Sequence, residues 1–522
     1  MLKRFSVIAA MATMALVWAL SAQSPAQKVI DDSLRAMGAS DVKTLTLWGE
    51  GGDGAVGQAR VSKGDYWRWY NNADVVRAYD FDAKAFRTKR VRWEGSIPPG
   101  GGNGTTTPAP VQNQDQITQA NNFNGQIEMA MTPIGFLKMA AANDKTTLST
   151  VTEKGKTKAT TWRVLSYPIT NQGKGSSYET AVKGYIDAAN RVQRVEVLIS
   201  HDFLGDIRWA ADFSDWQDFG GGLKFPAKIV QRQWDPKIFE LSVAAVKVNL
   251  PVDLTAPAPA AGKGAAGGGK GAPGGPGGAG KGPGAGKGAG APAAAPAELS
   301  EVIGDGFWLV TGGYASIVAD FKDYVMIVEL GSNDERTVDV LKEARRLVPN
   351  KPIRYVINTH FHFDHTGGLR AAVAEGITII THEANRGLYE KVMANPHKLV
   401  PDILENTKPR PKAKVEYVGD KKVFTDGTHT IETYHLKGST HNDGMLIVYL
   451  PAQKILLNGD EYNVPGQASA APVAAPNGYQ LNLLNQIERL GLNVERHIPV
   501  HLPNPYRKVM HQELIFMAGR EK

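Results

Sequence analysis

The chain of 522 residues contains no cysteine. Disulfides, thiolate metal ligands and a lipid-anchored cysteine are therefore excluded. Long apolar runs are scarce too, and beyond the first two dozen residues no stretch is apolar enough to span a membrane. The net charge of +7 is not a property of the folded parts. Lys3 and Arg4 sit in a leader without acid, and Lys263, Lys270, Lys281 and Lys287 sit in a low-complexity stretch. Setting these six aside leaves +1, which gives no footing for a nucleic-acid partner. Histidine is sparse, 12 in all, and His201 is the only one before residue 360. An isolated histidine of this kind reads as a packed or surface residue, not a ligand.

Composition divides the chain into four parts. Residues 1–22, MLKRFSVIAAMATMALVWALSA, combine a basic start, an apolar run from Phe5 to Leu20 and small residues at the end. That pattern predicts a secretory signal peptide, cleaved after Ser21 or Ala22, and an exported protein, periplasmic or secreted. Residues 27–250 show a helix over Lys28–Met37, then short alternating runs broken by Gly, Asn and Asp. Strands are expected at Thr44–Trp48, Gln58–Ser62, Tyr66–Trp69, Val75–Asp80 and Arg87–Trp93, a long loop over Ser96–Gln119, and a helix from Ile134 to Ala142 behind Thr132-Pro133. Strands resume from Thr161 to Asn249. Many strands and few helices predict a mostly antiparallel, curved sheet or half-barrel. Eight of the ten tryptophans lie here, as expected if they pack the core of a large sheet. The runs GYIDAANRVQRVEV, LGDI and GGLKFPAKI weakly resemble the open half-barrels of periplasmic lipoprotein carriers. Residues 251–298 are a linker, and Ala256–Ala297 holds only Ala, Gly, Pro and Lys. Such a segment has no apolar side chains to offset its ordering entropy and is expected to be a disordered tether between two independent units.

Residues 299–522 carry the chemistry. The run Ile353–Asn358 reads as a buried strand leading into THFHFDHTGG, Thr359–Gly368. In an extended chain residues i and i+2 point the same way, so His360 and His362 aim at one point. Asp364 and His365 follow and are placed to serve a second point nearby. Imidazoles with a carboxylate suit zinc, with iron or manganese as alternatives. Around the motif, strands are expected at 306–312, 314–321 and 324–330. A capping box at Ser332-Asn333-Asp334-Glu335 opens a helix with Val338, Leu341, Ala344 and Val348 on one face. Thr366 is expected to cap the next helix, and further strands and helices follow to residue 500.

THFHFDHTGG resembles the His-x-His-x-Asp-His signature of the metallo-β-lactamase fold superfamily, and its Thr-His start is similar to glyoxalase II. The resemblance covers about residues 299–522. It implies an α+β chain with a C-terminal four-layer αββα fold, preceded by the β-rich domain. It also implies three further ligands. His441 in LKGSTHNDG resembles the family's second histidine segment, Asp460 in LLNGDEY its bridging aspartate, and His501 in HIPVHLP its final histidine, although Leu502 replaces the usual glycine. The implied set is His360, His362 and His441 on one metal, Asp364, His365 and His501 on the other, and Asp460 on both. His382, His429, His435 and His497 match no family position.

The resemblance implies a hydrolase in which two divalent ions share a hydroxide and Asp364 orients it. Without cysteine, the cysteine-ligand class of β-lactamases is excluded. A bridging aspartate is a feature of glyoxalase II and lactonases, which favours an ester, thioester or lactone over a β-lactam. The segment from Tyr462 to Tyr479 has no Lys or Arg to grip a carboxylate, so a neutral or apolar small molecule is the expected substrate. Tyr462 itself reads as a packed loop residue. The alternatives are a β-lactam hydrolase and a non-enzymatic envelope binding protein with a vestigial metal site.

Overall fold

The computed structural model describes residues 24–63, 67–95, 111–155, 159–173, 176–256 and 300–522. The expected leader and nearly all of the expected linker lie outside the described residues.

The N-terminal half is one eleven-stranded sheet in which every neighbouring pair is antiparallel. The strand Thr44–Ala55 pairs with Lys237–Val248, so the two ends of this half meet in mid-sheet. The edges are Gln112–Gln119 and Thr147–Lys154. Both are polar and largely accessible, which blunts pairing with another sheet. That polarity also hid them. Gln112–Gln119 is a strand and not the end of a loop, and it joins Ala85–Glu94. Of the expected strand Tyr66–Trp69, Tyr66 lies outside the described residues and Arg68 and Trp69 belong with Val75–Asp80 to one strand, Arg68–Asp80. Helices Phe123–Ala130 and Pro133–Ala141 cover the sheet, and Phe136 packs against Tyr167 with ring centroids 5.8 Å apart. Of the eight tryptophans, Trp67, Trp69 and Trp209 are buried and Trp48, Trp93, Trp162, Trp216 and Trp234 are half-buried.

The C-terminal half has two sheets. The seven-stranded sheet runs in sequence order from Ser300–Gly304 to Val415–Val418, antiparallel at first and parallel from Tyr324–Val328 onward. The six-stranded sheet runs from Lys421–Thr425 to Val509–Met510. Period-two alternation explains how they stack. On Leu446–Leu450, Leu446, Val448 and Leu450 join Ile317, Met326, Val328 and Ile357 in a core between the sheets. Ile447 and Tyr449 point the other way, onto Leu483, Leu484 and Ile487 of the helix Gly478–Leu490. The outer face of the first sheet, through Val325, Ile327 and Val356, meets Val340, Leu341 and Ala344 of the helix Asp334–Leu347. The result is a helix–sheet–sheet–helix sandwich. Helix Asp334–Leu347 is capped by Asn333, whose side chain accepts from the Arg336 N–H, so Ser332 is not the cap. Its buried face is Thr337, Val340, Leu341 and Ala344, and Val338 is exposed. Thr366 does not cap the helix Leu369–Ala374, because its hydroxyl is donated back to the His362 carbonyl at 2.8 Å.

The two halves are not merely tethered. One apolar cluster runs from the N-terminal sheet into the helices of the C-terminal half. Besides a Lys391–Asp235 ion pair at 3.4 Å, two polar contacts reinforce it. At the first, Asn395 and the Lys398 and Leu399 N–H groups bind the turn Leu204–Asp206, and the Asp206 N–H donates to the Pro396 carbonyl. At the second, residues 57–62, of which Gln58–Ser62 were expected as a strand, form a loop that lies against the His-rich motif.

Candidate metal centre

Six of the seven candidate ligands lie shortly after the end of a strand and His441 lies in the loop before one, and the fold brings these positions together. His360 and His362 follow Ile353–Ile357, and Asp364 and His365 lie on the single helical turn Phe363–Thr366. His441 precedes Leu446–Leu450, Asp460 follows Ile455–Leu457, and His501 follows Arg496–Ile498. The Leu446 N–H donates to the Thr359 carbonyl at 2.8 Å and stitches the motif to the second sheet. Gly459 makes the approach of Asp460 feasible. Its φ is +55°, and a Cβ there would lie 2.7 Å from the Met445 sulfur.

Seven residues form two adjacent groups. His360, His362 and His441 make one, and Asp364, His365, Asp460 and His501 the other, with the ligand atoms of each group within 4.8 Å of one another. Asp460 lies between them. Its Oδ1 is 3.1 Å from His365 Nε2 and 3.2 Å from His501 Nε2, and its Oδ2 is 3.6 Å from His441 Nε2. All are buried except His501, whose side chain is 26% exposed and marks the open side.

The electrostatics differ between the groups. Burial lowers the basicity of His360 and His441 strongly and that of His362 to about 4, so these rings are neutral, the form that ligates. In the other group burial opposes the charge on His365 and His501, but the carboxylates outweigh it, above all Asp460. His365 is raised well above its usual value and His501 to about 10. Burial alone would lift Asp364, yet His365 and His501 hold it well below the usual carboxylate range.

Residues that the motif did not reveal orient these groups. Glu329, fully buried at the end of Tyr324–Val328, accepts from His365 Nδ1 at 3.2 Å and from the Thr359 N–H at 2.6 Å. His360 Nδ1 pairs with the Thr359 hydroxyl at 3.0 Å. Asn358 donates to the His365 carbonyl and is bound by the Tyr389 hydroxyl. A single acid inside the apolar run Tyr324–Leu330 was the available signal for Glu329. Tyr314 packs its ring against His501, centroids 5.1 Å apart.

The donor set fits divalent cations. His362 Nδ1 is buried with no hydrogen-bond partner among the described residues, His360 Nε2 and His441 Nε2 face each other at 3.1 Å, and two carboxylates meet without a Lys or Arg among the seven. The other histidines are used elsewhere. His382 stacks on His435, His497 pairs with His511 at 2.9 Å, and His429 packs edge-on against Phe307. Residues 309–501 match the model of the metallo-beta-lactamase superfamily.

The C-terminal half belongs to the metallo-beta-lactamase superfamily.

Solved members of the superfamily are similar to this half. The metallo-beta-lactamase from Pontibacter korlensis is 20% identical, with 42% of this chain covering 96% of that one at a TM-score of 0.32. That from Hirschia baltica is 19% identical over 43% of this chain and 98% of its own, TM-score 0.32. FIM-1 from Pseudomonas aeruginosa, solved in a mono-zinc form, is 18% identical over 42% and 92%, TM-score 0.31. The N-terminal half lies outside the residues matched by the superfamily model.

Proposed function

We propose that the protein is an exported, dinuclear metal-dependent hydrolase of neutral or apolar esters, thioesters or lactones. The position of Asp460 between the two groups carries this reading. A carboxylate that reaches both can serve two ions, which a site built for one would not need. In the proposed assignment His360, His362 and His441 hold one ion, Asp364, His365 and His501 the other, and Asp460 both. Two divalent ions there, zinc first among them, would supply Lewis-acid polarisation of an acyl oxygen and a water acidic enough to ionise near neutral pH.

The chain's own residues do the rest. Burial keeps the first three imidazoles unprotonated and available. Glu329 holds the proton of His365 on Nδ1 and leaves Nε2 facing the site. Asp364 Oδ2 faces His501 Nε2 at 3.2 Å and is the group placed to orient the attacking water. The partly exposed His501 places substrate entry on its side. The stretch from Tyr462 to Tyr479 offers no cation to an anionic substrate. Tyr462 is fully buried and packs against His497, so it supports the loop instead of meeting substrate. Export rests on the leader.

The test is a screen of zinc-, manganese- and iron-loaded protein against chromogenic lactones, thioesters, β-lactams and phosphodiesters. Turnover of acyl esters, abolished by chelation and restored by metal, is expected. Turnover of β-lactams alone, or of nothing, would contradict the reading.

A further inference from the structure

The loop of residues 57–62 comes from the opposite half of the chain, yet successive residues in it meet the metal centre. The Gly57 carbonyl accepts from the N–H of Phe363, the residue between His362 and Asp364. The Gln58 amide donates to Asp364 Oδ1 at 3.1 Å. The Ala59 carbonyl accepts from His362 Nε2 at 2.8 Å and from the Asn442 amide, beside His441, at 3.4 Å. Arg60 pairs with Asp443 at 2.6 Å, and its carbonyl accepts from the Asp443 N–H at 2.8 Å. Gly57 has φ +76°, and a Cβ there would stand 3.1 Å from the Phe363 ring, so the close approach depends on glycine.

These contacts select states of the two ligand groups. A neutral imidazole carries one proton. A carbonyl can only accept, so the bond to Ala59 fixes that proton on His362 Nε2 and leaves the lone pair on Nδ1, the buried nitrogen without a partner. For Asp364, the Gln58 bond occupies Oδ1 and leaves Oδ2 turned to His501 and His365. The contact at Leu204–Asp206 and Asn395–Leu399 and the Lys391–Asp235 ion pair touch none of the seven residues, so docking the halves does not by itself require a loop on the centre.

We propose that residues 57–62 are a working wall of the metal centre, with Gln58 a positioning residue for Asp364 and the Ala59 carbonyl the element that orients His362. This rests on the two-metal reading. It makes the centre a joint product of both halves and gives the N-terminal half a part in the chemistry.

The test uses full-length protein stripped by chelator and titrated with Co2+, whose d–d absorption reports ligand geometry. Affinities are read by chelator competition and folding by the unfolding midpoint of the metal-free protein. Gln58→Leu is expected to weaken one Co2+ by about 10–100-fold, the usual cost of losing a partner to a ligand, and to alter the absorption while the metal-free midpoint stays put. Arg60→Ala, which loosens the Ala59 segment from Asp443, is expected to weaken the other Co2+ and serves as the deciding variant if Gln58→Leu folds poorly. Unchanged affinity and absorption in both variants would overturn the proposal and leave the two-metal reading standing. Failure of the unaltered protein to take up Co2+ would overturn the two-metal reading and the proposal with it.

Discussion

Asp53 in the N-terminal sheet and Asp460 in the C-terminal sandwich are both carboxylates with essentially no exposed surface, and their surroundings are opposite in kind. Asp53 accepts from Asn72 at 2.9 Å and from Arg92 at 2.8 and 3.0 Å, and Arg90 lies 2.9 Å away. Arg92 in turn stacks over Tyr70, 3.4 Å from its ring centroid. Arg68–Glu94 and Arg77–Glu128 repeat the pattern nearby. Asp460 has no guanidinium or ammonium within ion-pair distance among the described residues. It meets two histidines that it must itself keep charged, and a third that burial keeps neutral. A buried charge closed by opposite charge builds a fold. A buried carboxylate ringed only by ligand-type imidazoles, with no fixed cation to close it, is a place for something else to bind.

The largest effect should come from breaking the open cluster. Asp460→Ala is expected to lower metal stoichiometry and to cut hydrolysis by more than about 100-fold, beyond what loss of a supporting partner costs. Metal analysis and rates on the substrate found by the screen check this. Retention of two ions at normal affinity would show that Asp460 does not span the groups.

Breaking the closed cluster should instead cost stability. Asp53→Ala leaves Arg90 and Arg92 buried without their carboxylate and is expected to lose about 3–5 kcal/mol, read from denaturant midpoints, while the folded fraction keeps its metal. Loss of metal at unchanged stability would reverse the contrast.

A smaller effect separates two histidines of one strand region. His501→Ala should weaken one ion, less severely than Asp460→Ala, because a water can stand in for an imidazole. His497→Ala should leave metal content unchanged, since that ring pairs with His511 and packs under Tyr462. Loss of metal in the His497 variant alone would put the last strand out of register with the proposed ligand set.

The smallest expected effect lies at the contact between the halves away from the metal. His201 Nδ1 accepts from the Phe203 and Leu204 N–H groups, and burial, aided by His397, holds His201 at about 4. Burial and the Arg370 charge hold His397 at about 4 despite Asp402 at 3.3 Å. The native state thus binds fewer protons than the unfolded chain between about pH 6.5 and 4, so stability from these rings is full above that window and is lost as pH falls through it. His201→Asn keeps an acceptor that does not titrate. The stability of the natural chain relative to this variant should fall on acidification from pH 7 to 5, and a difference independent of pH would contradict the assignment.

Much of the sandwich was legible because its strands are continuous apolar runs and its ligands stand at their ends. The spacing of His360, His362, Asp364 and His365 pointed to two adjacent groups, and the resemblance located His441, Asp460 and His501, which the fold brings to them. What escaped was non-local or polar. The two edge strands lack the alternation that marks a buried face. Residues 58–62, Gln-Ala-Arg-Val-Ser, alternate as a strand would, yet they dock on a site some 300 residues away, and local period carries no information about such a partner. Glu329 was hidden near the end of the apolar run Tyr324–Leu330, where only the fold shows that its carboxylate meets His365.

The central claim is that the open cluster takes two ions shared through Asp460. Titrating chelator-stripped, full-length protein with Zn2+ and following binding calorimetrically against Asp460→Ala tests it most directly. Two ions per chain are predicted for the natural sequence, with both weakened together in the variant. A single ion per chain, or two of which the variant loses only one while the other binds as before, would contradict it.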